Sequence, residues 1–399
     1  MEHQDSRAHK ALALDPASIV VKDFGAITTR EQLQKYDTES EPWTKSLAKS
    51  FRNHKQLGHV LNNVEDVDAR VYKSFDCRVT PYLAQLMDAD DPNCPIRLQY
   101  APSSLELNVL PYEIEDSLGE DADMIPGTAL VHRYPNRVLF LVHNTCGSLC
   151  RYCTRKRFVT NSERPVVKDE IETAIDYLST AYEVQDCLLS GGDPLMLTDE
   201  RLDYIIGQIR LRAPHVKFIR IGTRLPTQLP TRITKEFCEL VERHDVQMIN
   251  IHINHAKEIT PLLISRLKML RKTGVMLGNQ TVLLKGVNDS VEVLRDLCMR
   301  LIEIGVRPYY VYSCDPAEGN DRYIVSLRRA KEIYAGLRGW ISGPSIPTFV
   351  VDGIGGLGKL PIMPTYVDED AFGVHAVNYK GSTTRMDFLS SKTFLRAPQ

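Results

Sequence analysis

From Val138 onward, short apolar runs alternate with longer stretches of helical periodicity, and no other property of this 399-residue chain narrows its fold as far. The apolar runs are VLFLVHN, DCLLSGG, FIRIGT, MINIHIN, MLGNQTVLL, RPYYVYS and TFVVD. They are rich in Val, Ile, Leu and aromatic residues, as buried parallel strands are. Between them, KDEIETAIDYLSTAYEV, DERLDYIIGQIRLR and SVEVLRDLCMRLIEIG space their apolar residues as helices with one buried face do. Six or seven such units predict an α/β fold, a full or partial (β/α) barrel. In that fold, chemistry gathers where strands end and loops begin.

The first ~130 residues have a different texture. They are polar, with helix-compatible stretches such as TREQLQKY and EPWTKSLAKSFRNHKQLGHVL, and they end in the acidic loop EDSLGEDADMIPGTAL. The expected division is a mostly helical region over 1–130, a barrel core over 131–345 and a C-terminal segment over 346–399. With 43% hydrophobic residues the chain is long enough for a substantial core, and a net charge of −2 argues against a general nucleic-acid binder. MEHQDSRAHKALALDPASIV lacks the basic-then-apolar pattern of a secretory signal, and no apolar run reaches bilayer length. Cys77, Cys94, Cys187, Cys238, Cys298 and Cys314 are scattered singly, as free thiols in a reducing compartment tend to be. A soluble cytoplasmic protein without membrane or nucleic-acid partners is expected.

The other three cysteines are not scattered. NTCGSLCRYCTRKRFV follows the first barrel strand directly and holds Cys146, Cys150 and Cys153. A disulfide set would be even, and zinc would ask for a fourth ligand that the neighbourhood does not offer. Gly147, Ser148, Arg151 and Thr154 make a poor apolar core. A [4Fe–4S] cluster fits better, because three thiolates hold three irons and leave one open to a substrate or cofactor. A second motif, VVDGIGGLGKLPIMP, surrounds Lys359 with Gly353, Gly355, Gly356 and Gly358. The P-loop pattern fails here because Leu360 follows the lysine. A surface turn and a Schiff-base lysine presented to an aldehyde cofactor are the two readings left.

The C-x₃-C-x₂-C spacing, with Tyr152 before the last cysteine, resembles the radical S-adenosylmethionine superfamily. That resemblance implies that the methionine end of S-adenosylmethionine chelates the open iron and that one electron then yields a 5′-deoxyadenosyl radical. Ser190, Gly191, Gly192 and Asp193 in LLSGGDPL fit the same picture: glycines for close backbone approach, a carboxylate for the cofactor's ammonium. With the lysine loop added, the chain is similar to the lysine 2,3-aminomutase family, which also uses pyridoxal 5′-phosphate. The likeness runs from VTPYLAQLMDADDPNCPIRLQ to LPIMPTYV and includes HRYPNRVLFLV, RIGTR, GNQTVLLKGVND, RPYYVYSCD and PTFVVD.

Carried over residue by residue, the resemblance makes Cys146, Cys150 and Cys153 the cluster ligands and Lys359 the pyridoxal lysine. It sets Arg133 and Arg137 near the cofactor phosphate, Tyr312 beside the pyridine ring, and Tyr152, His252 and Gln280 near the adenosyl group. Arg155 is the expected grip on the substrate α-carboxylate, and Asp315 with Asp352 the grip on a distal cation, so the implied substrate is a basic amino acid. L-Lysine is the first expectation and arginine the second, because Ile354 and Leu357 interrupt the family's glycines. A lysine side chain of a translation factor is a third. An electron donor and a homo-oligomer are also implied, although TTRMDFLSSKTFLRAPQ lacks the zinc-binding cysteines of some relatives.

Overall fold

The computed structural model describes residues 26–386 and 389, apart from 63, 65, 66, 160–165, 371 and 372. The opening segment read for a signal lies outside the described residues, as do residues 390–399.

All seven predicted strands are present, in one nine-stranded sheet. They are β2 (Arg137–His143), β3 (Asp186–Gly191), β4 (Phe218–Gly222), β5 (Met248–Ile251), β6 (Met276–Leu283), β7 (Arg307–Ser313) and β8 (Thr348–Gly353). Each pairs in parallel with the next, while β1 (Leu130–Tyr134) and β9 (Gly358–Pro361) add antiparallel strands at the two edges. Six helices make the crossovers, over Lys168–Thr180, Asp199–Arg212, Lys235–Arg243, Pro261–Arg271, Val291–Glu303 and Leu327–Leu337. The last five start on Thr198, Thr234, Thr260, Ser290 and Ser326, whose side chains each accept a first-turn N–H. Each such cap stabilises its helix by about 1 kcal/mol.

The outer face of the sheet packs on the helices, with Cys187, Leu189, Ile219, Ile221 and Ile249 wholly buried against residues such as Ile175, Leu202 and Leu240. The inner face is different. On β3, Asp186, Leu188 and Ser190 alternate with those buried residues and line a central cavity. The sheet therefore closes most of the way round without filling its interior. Across the remaining gap, Tyr134 of β1 meets β9 through its side chain: its hydroxyl accepts from Lys359 N at 3.1 Å.

The region before β1 corrects one expectation. Among its described residues it is not mostly helical; the α-helices there are four to six residues long and joined by turns. The stretch EPWTKSLAKSFRNHKQLGHVL breaks because Phe51 N donates to Val79 O at 2.8 Å and Asn53 caps a new helix at His54. Pro81 and Pro95 likewise start short helices. This region has its own core of Leu57, Val79, Leu83, Ile96 and Tyr100 and backs the cysteine loop, with Leu149 N donating to Arg78 O and Arg151 N to Gln99 O. Beyond β9, β10 (Val367–Asp370), β11 (Gly373–Val377) and β12 (Thr383–Arg385) form a small antiparallel sheet. Among the described residues no helix is long and apolar enough to cross a membrane.

Candidate active site

One cavity of about 620 Å³ runs into the barrel, and every site residue singled out from the sequence lines it. Residues more than 220 positions apart thus share one chamber.

The cysteine loop is held from two sides. Gly192 N donates to His143 O at 2.6 Å and Asp193 N to Thr145 O at 2.8 Å, zipping the end of β3 to the start of the loop. The glycines are needed for that approach: a Cβ on Gly191 would lie 2.1 Å from His143 O, and one on Gly192 2.4 Å from Thr145 O. The three cysteines are half-buried and unpaired. Burial, then Asp193 and the other two sulfurs, pushes the Cys146 thiol well up; burial and then Cys150 push Cys153 up to about 11. Cys146 and Cys153 thus become thiolates only when a strong cation neutralises them, which is the chemistry of metal ligation. Among the described residues no trio of Cys, His, Asp or Glu converges on a single ion. A cubane, which offers each thiolate its own iron, suits this donor set better than a mononuclear metal.

Asp193 lines the cavity, and the carboxylate expected to hold an ammonium already accepts four hydrogen bonds. Oδ1 accepts from Leu195 N and Thr223 Oγ1, and Oδ2 from Arg224 N and Leu225 N, all between 2.7 and 3.0 Å. A carboxylate has about four acceptor positions, and all are filled. Asp193 ties the end of β3 to the loop after β4.

Lys359 and Asp352 are neighbours across the β8–β9 pair, with Nζ 2.9 Å from Oδ1. The ammonium sits 5.1 Å from the centre of the Tyr312 ring, whose hydroxyl accepts from Gln280 Nε2 at 3.3 Å. Burial and then Asp352 raise the Tyr312 hydroxyl well above its ordinary range, so it stays protonated. Asp315 is buried beside them; burial first, and Asp352 second, push its carboxyl up to about 7. Gly358 adopts a left-handed φ of +79°, and a Cβ there would lie 2.6 Å from Tyr134 Oη. The glycine loop thus fits around Tyr134. Ile354 and Leu357 are exposed and do not line the cavity.

The basic residues divide by what they already hold. Arg155 pairs with buried Glu120 through Nε (2.8 Å) and Nη2 (2.6 Å), leaving Nη1 and the outer edge for another carboxylate. Arg133 donates from Nε to Asp123 Oδ2 and from Nη2 to Leu118 O and Gly119 O, so most of its fork fixes the acidic loop. Arg137 lies over the Tyr134 ring at 3.8 Å, and among the described residues no carboxylate pairs with it, which leaves it open to an anion such as a phosphate. His252 Nε2 lies 3.2 Å from Tyr152 Oη and 3.1 Å from Asn254 Oδ1. Burial, then Arg224, holds its pKa far down, so it is a neutral imidazole.

Two residues at this site escaped sequence reasoning. Glu120 sits in the acidic loop read only as a boundary; Asp116, Glu120, Asp121 and Asp123 there pair with Arg157, Arg155, Arg157 and Arg133. The signal was the charge complementarity between that loop and the arginines of HRYPNR and CRYCTRKRF. Arg224 ends RIGTR and donates from Nη1 to Cys150 Sγ at 2.9 Å.

A profile described as Radical SAM superfamily matches residues 140–298, and one described as Lysine-2,3-aminomutase matches residues 334–385. L-Lysine 2,3-aminomutase of Bacillus subtilis is 43% identical over 82% of this chain and 69% of its own length. The protein of that name from Clostridium subterminale is 46% identical over 76% and 72%. Glutamate 2,3-aminomutase of Clostridioides difficile is 36% identical over 73% and 69%.

Proposed function

The chain belongs to the lysine 2,3-aminomutase family within the radical S-adenosylmethionine superfamily, and from that premise we propose that it moves the α-amino group of L-lysine to C3, giving β-lysine, with pyridoxal phosphate as second cofactor. The observation that carries the reading is the shared chamber. It joins a cysteine triad suited to a cubane, a lysine amine, an unpaired guanidinium and two buried carboxylates.

Bound there, the cluster and S-adenosylmethionine supply a hydrogen-abstracting 5′-deoxyadenosyl radical, and pyridoxal phosphate supplies a carbonyl and a π-system that spreads spin during migration. Cys146, Cys150 and Cys153 would hold the cluster, with Tyr152 and His252 beside the adenosyl group. Lys359 would hold the pyridoxal carbonyl, Arg137 its phosphate, and Tyr312 would lie along its ring. Asp352 Oδ1, at 2.9 Å, can keep the proton of the Lys359 amine whenever that amine is free. The outer edge of Arg155 suits a bidentate grip on the α-carboxylate. Asp315 and Asp352 then hold the side-chain cation and fix C2 and C3 relative to the radical source. The buried walls keep water from a reactive intermediate.

Lysine is favoured over arginine because Ile354 and Leu357, the residues that depart from the family's glycines, point away from the chamber and add no room to it. The test is an anaerobic assay of reconstituted protein with S-adenosylmethionine, pyridoxal phosphate and reductant, with lysine and arginine at equal concentration. β-Lysine should dominate. Mostly β-arginine would reverse the assignment, and neither product from fully loaded protein would end it; modification of a protein lysine instead would appear as a mass shift on that protein.

A further inference from the structure

The loop after β4 brings Arg224 into the wall behind the cysteines, where it is 7% exposed. Its Nη1 lies 2.9 Å from Cys150 Sγ, and its Nη2 donates to Gln99 Oε1 at 2.6 Å. The guanidinium lies 4.8 Å from the centre of the Tyr100 ring and 5.3 Å from that of Tyr152, with Nη1 also against Tyr152 Oη. Among the described residues its one acidic partner, fully buried Glu258, is at 3.5 Å, the loose end of ion pairing. Among the described residues, neither of the other two sulfurs is given a cationic side chain as hydrogen-bond donor; Cys153 Sγ accepts from the backbone N of Arg155 at 3.4 Å.

We propose that Arg224 is the built-in counter-charge of the iron–sulfur cluster, making the cluster easier to reduce by donating to the Cys150 sulfur. This rests on the reading that the three cysteines hold a [4Fe–4S] cluster. The electron comes from an external low-potential one-electron reductant and stays on the cluster, with no proton moved and no bond broken in that step. It adds negative charge to an assembly that three thiolates already make anionic. A cation against one of those sulfurs, in an interior of low dielectric, stabilises the reduced form more than the oxidised one. A guanidinium is not deprotonated in proteins, so Arg224 brings a full positive charge to the sulfur it touches. Glu258 offsets part of that charge from 3.5 Å, so its removal should strengthen the effect, and its Oε1 is engaged by Asn254 N and His255 N.

The experiment is a redox titration of the full, cluster-loaded chain followed by electron paramagnetic resonance, on wild type, Arg224→Gln, Arg224→Lys and Glu258→Gln, each with iron and sulfide counted. At the wild-type midpoint potential, Arg224→Gln should lower the ratio of reduced to oxidised cluster about tenfold, which is ~59 mV for one electron. Arg224→Lys should recover most of that ratio, and Glu258→Gln should move it the other way. Full clusters with an unchanged ratio in Arg224→Gln would overturn the proposal, as would equal shifts in the Gln and Lys variants. If Arg224→Gln does not retain its cluster, Glu258→Gln decides: a raised ratio supports the counter-charge and an unchanged one refutes it. A wild-type protein that takes up no [4Fe–4S] cluster would sink the cluster reading itself, a result distinguishable from an unshifted variant.

Discussion

Asp315 makes the expected grip on the substrate cation sensitive to protons. Burial first and Asp352 second push its carboxyl up to about 7, so near neutrality the aspartate pair is only partly ionised. A cationic side chain arriving between the two carboxylates favours the charged form and expels the proton. For a group titrating near 7, roughly nine-tenths of the protein carries that proton at pH 6 and about one-tenth at pH 8. Lysine binding should therefore release up to ~0.9 proton from Asp315 at pH 6 and ~0.1 at pH 8, and affinity should tighten about fivefold from pH 6 to 7 and less than twofold from 7 to 8. Titration calorimetry in two buffers of different ionisation heat counts the protons, using protein loaded with pyridoxal phosphate but not S-adenosylmethionine. Subtracting the count for Asp315→Asn removes protons lost by the substrate's own amine. Equal release by wild type and variant at pH 6 would refute the argument. On unfolding the sign is opposite to that for binding: this raised carboxyl stabilises the fold fully below the ordinary carboxylate range, and the contribution is lost as pH rises through about 7.

Other expectations follow from the same chamber. Lys359→Ala should abolish borohydride fixation of pyridoxal phosphate to the chain while leaving iron content intact; fixation retained at another lysine would reassign the site. Glu120→Gln breaks a buried, doubly bonded pair with Arg155, a change that costs up to about 3–5 kcal/mol. Lysine affinity, read from the pyridoxal absorbance, should fall at least tenfold, whereas that of cadaverine, which lacks the carboxylate, should change little; parallel losses would deny Glu120 any hold on the carboxylate grip. Gly192→Ala places a Cβ 2.4 Å from Thr145 O, an overlap worth about 1–3 kcal/mol or more. Its iron per chain should drop by half or more and its Tm by several degrees, and a wild-type iron count would show that the loop adapts.

The strands were legible because a parallel sheet backed by helices demands apolar residues at every second position, and Cys187, Leu189, Ile219, Ile221 and Ile249 supply them. The helix starts were legible for a local reason, a Ser or Thr that caps its own first turn. The edge strands β1 and β9 were not. Leu130–Tyr134 contains His132, Arg133 and Tyr134, and Gly358–Pro361 contains Gly and Pro, so neither has strand-like composition. They are strands because β2 and β8 already present unpaired backbone edges to them. Likewise the helical pattern of 41–61 lost to one backbone pairing, Phe51 with Val79, across 28 residues.

Site residues were legible by position and less so by role, for a physical reason. A motif fixes where a side chain starts, but what a charged group does depends on which partners have already taken its hydrogen bonds. Asp193 and Asp352 both reach the chamber as buried carboxylates, yet the first accepts four bonds from residues 195, 223, 224 and 225, while the second accepts one from a lysine. The first is closed to ligands and the second can exchange its partner. Arg133 and Arg137 divide the same way, one fastened to the acidic loop, the other resting on Tyr134 without a carboxylate. Most of these partners lie on other segments, the loop after β4, strand β9 and the acidic loop before β1, so the distinction exists only once the barrel has assembled. The free capacity of each buried charge, rather than its motif, separates groups that build the chamber from groups that can act in it.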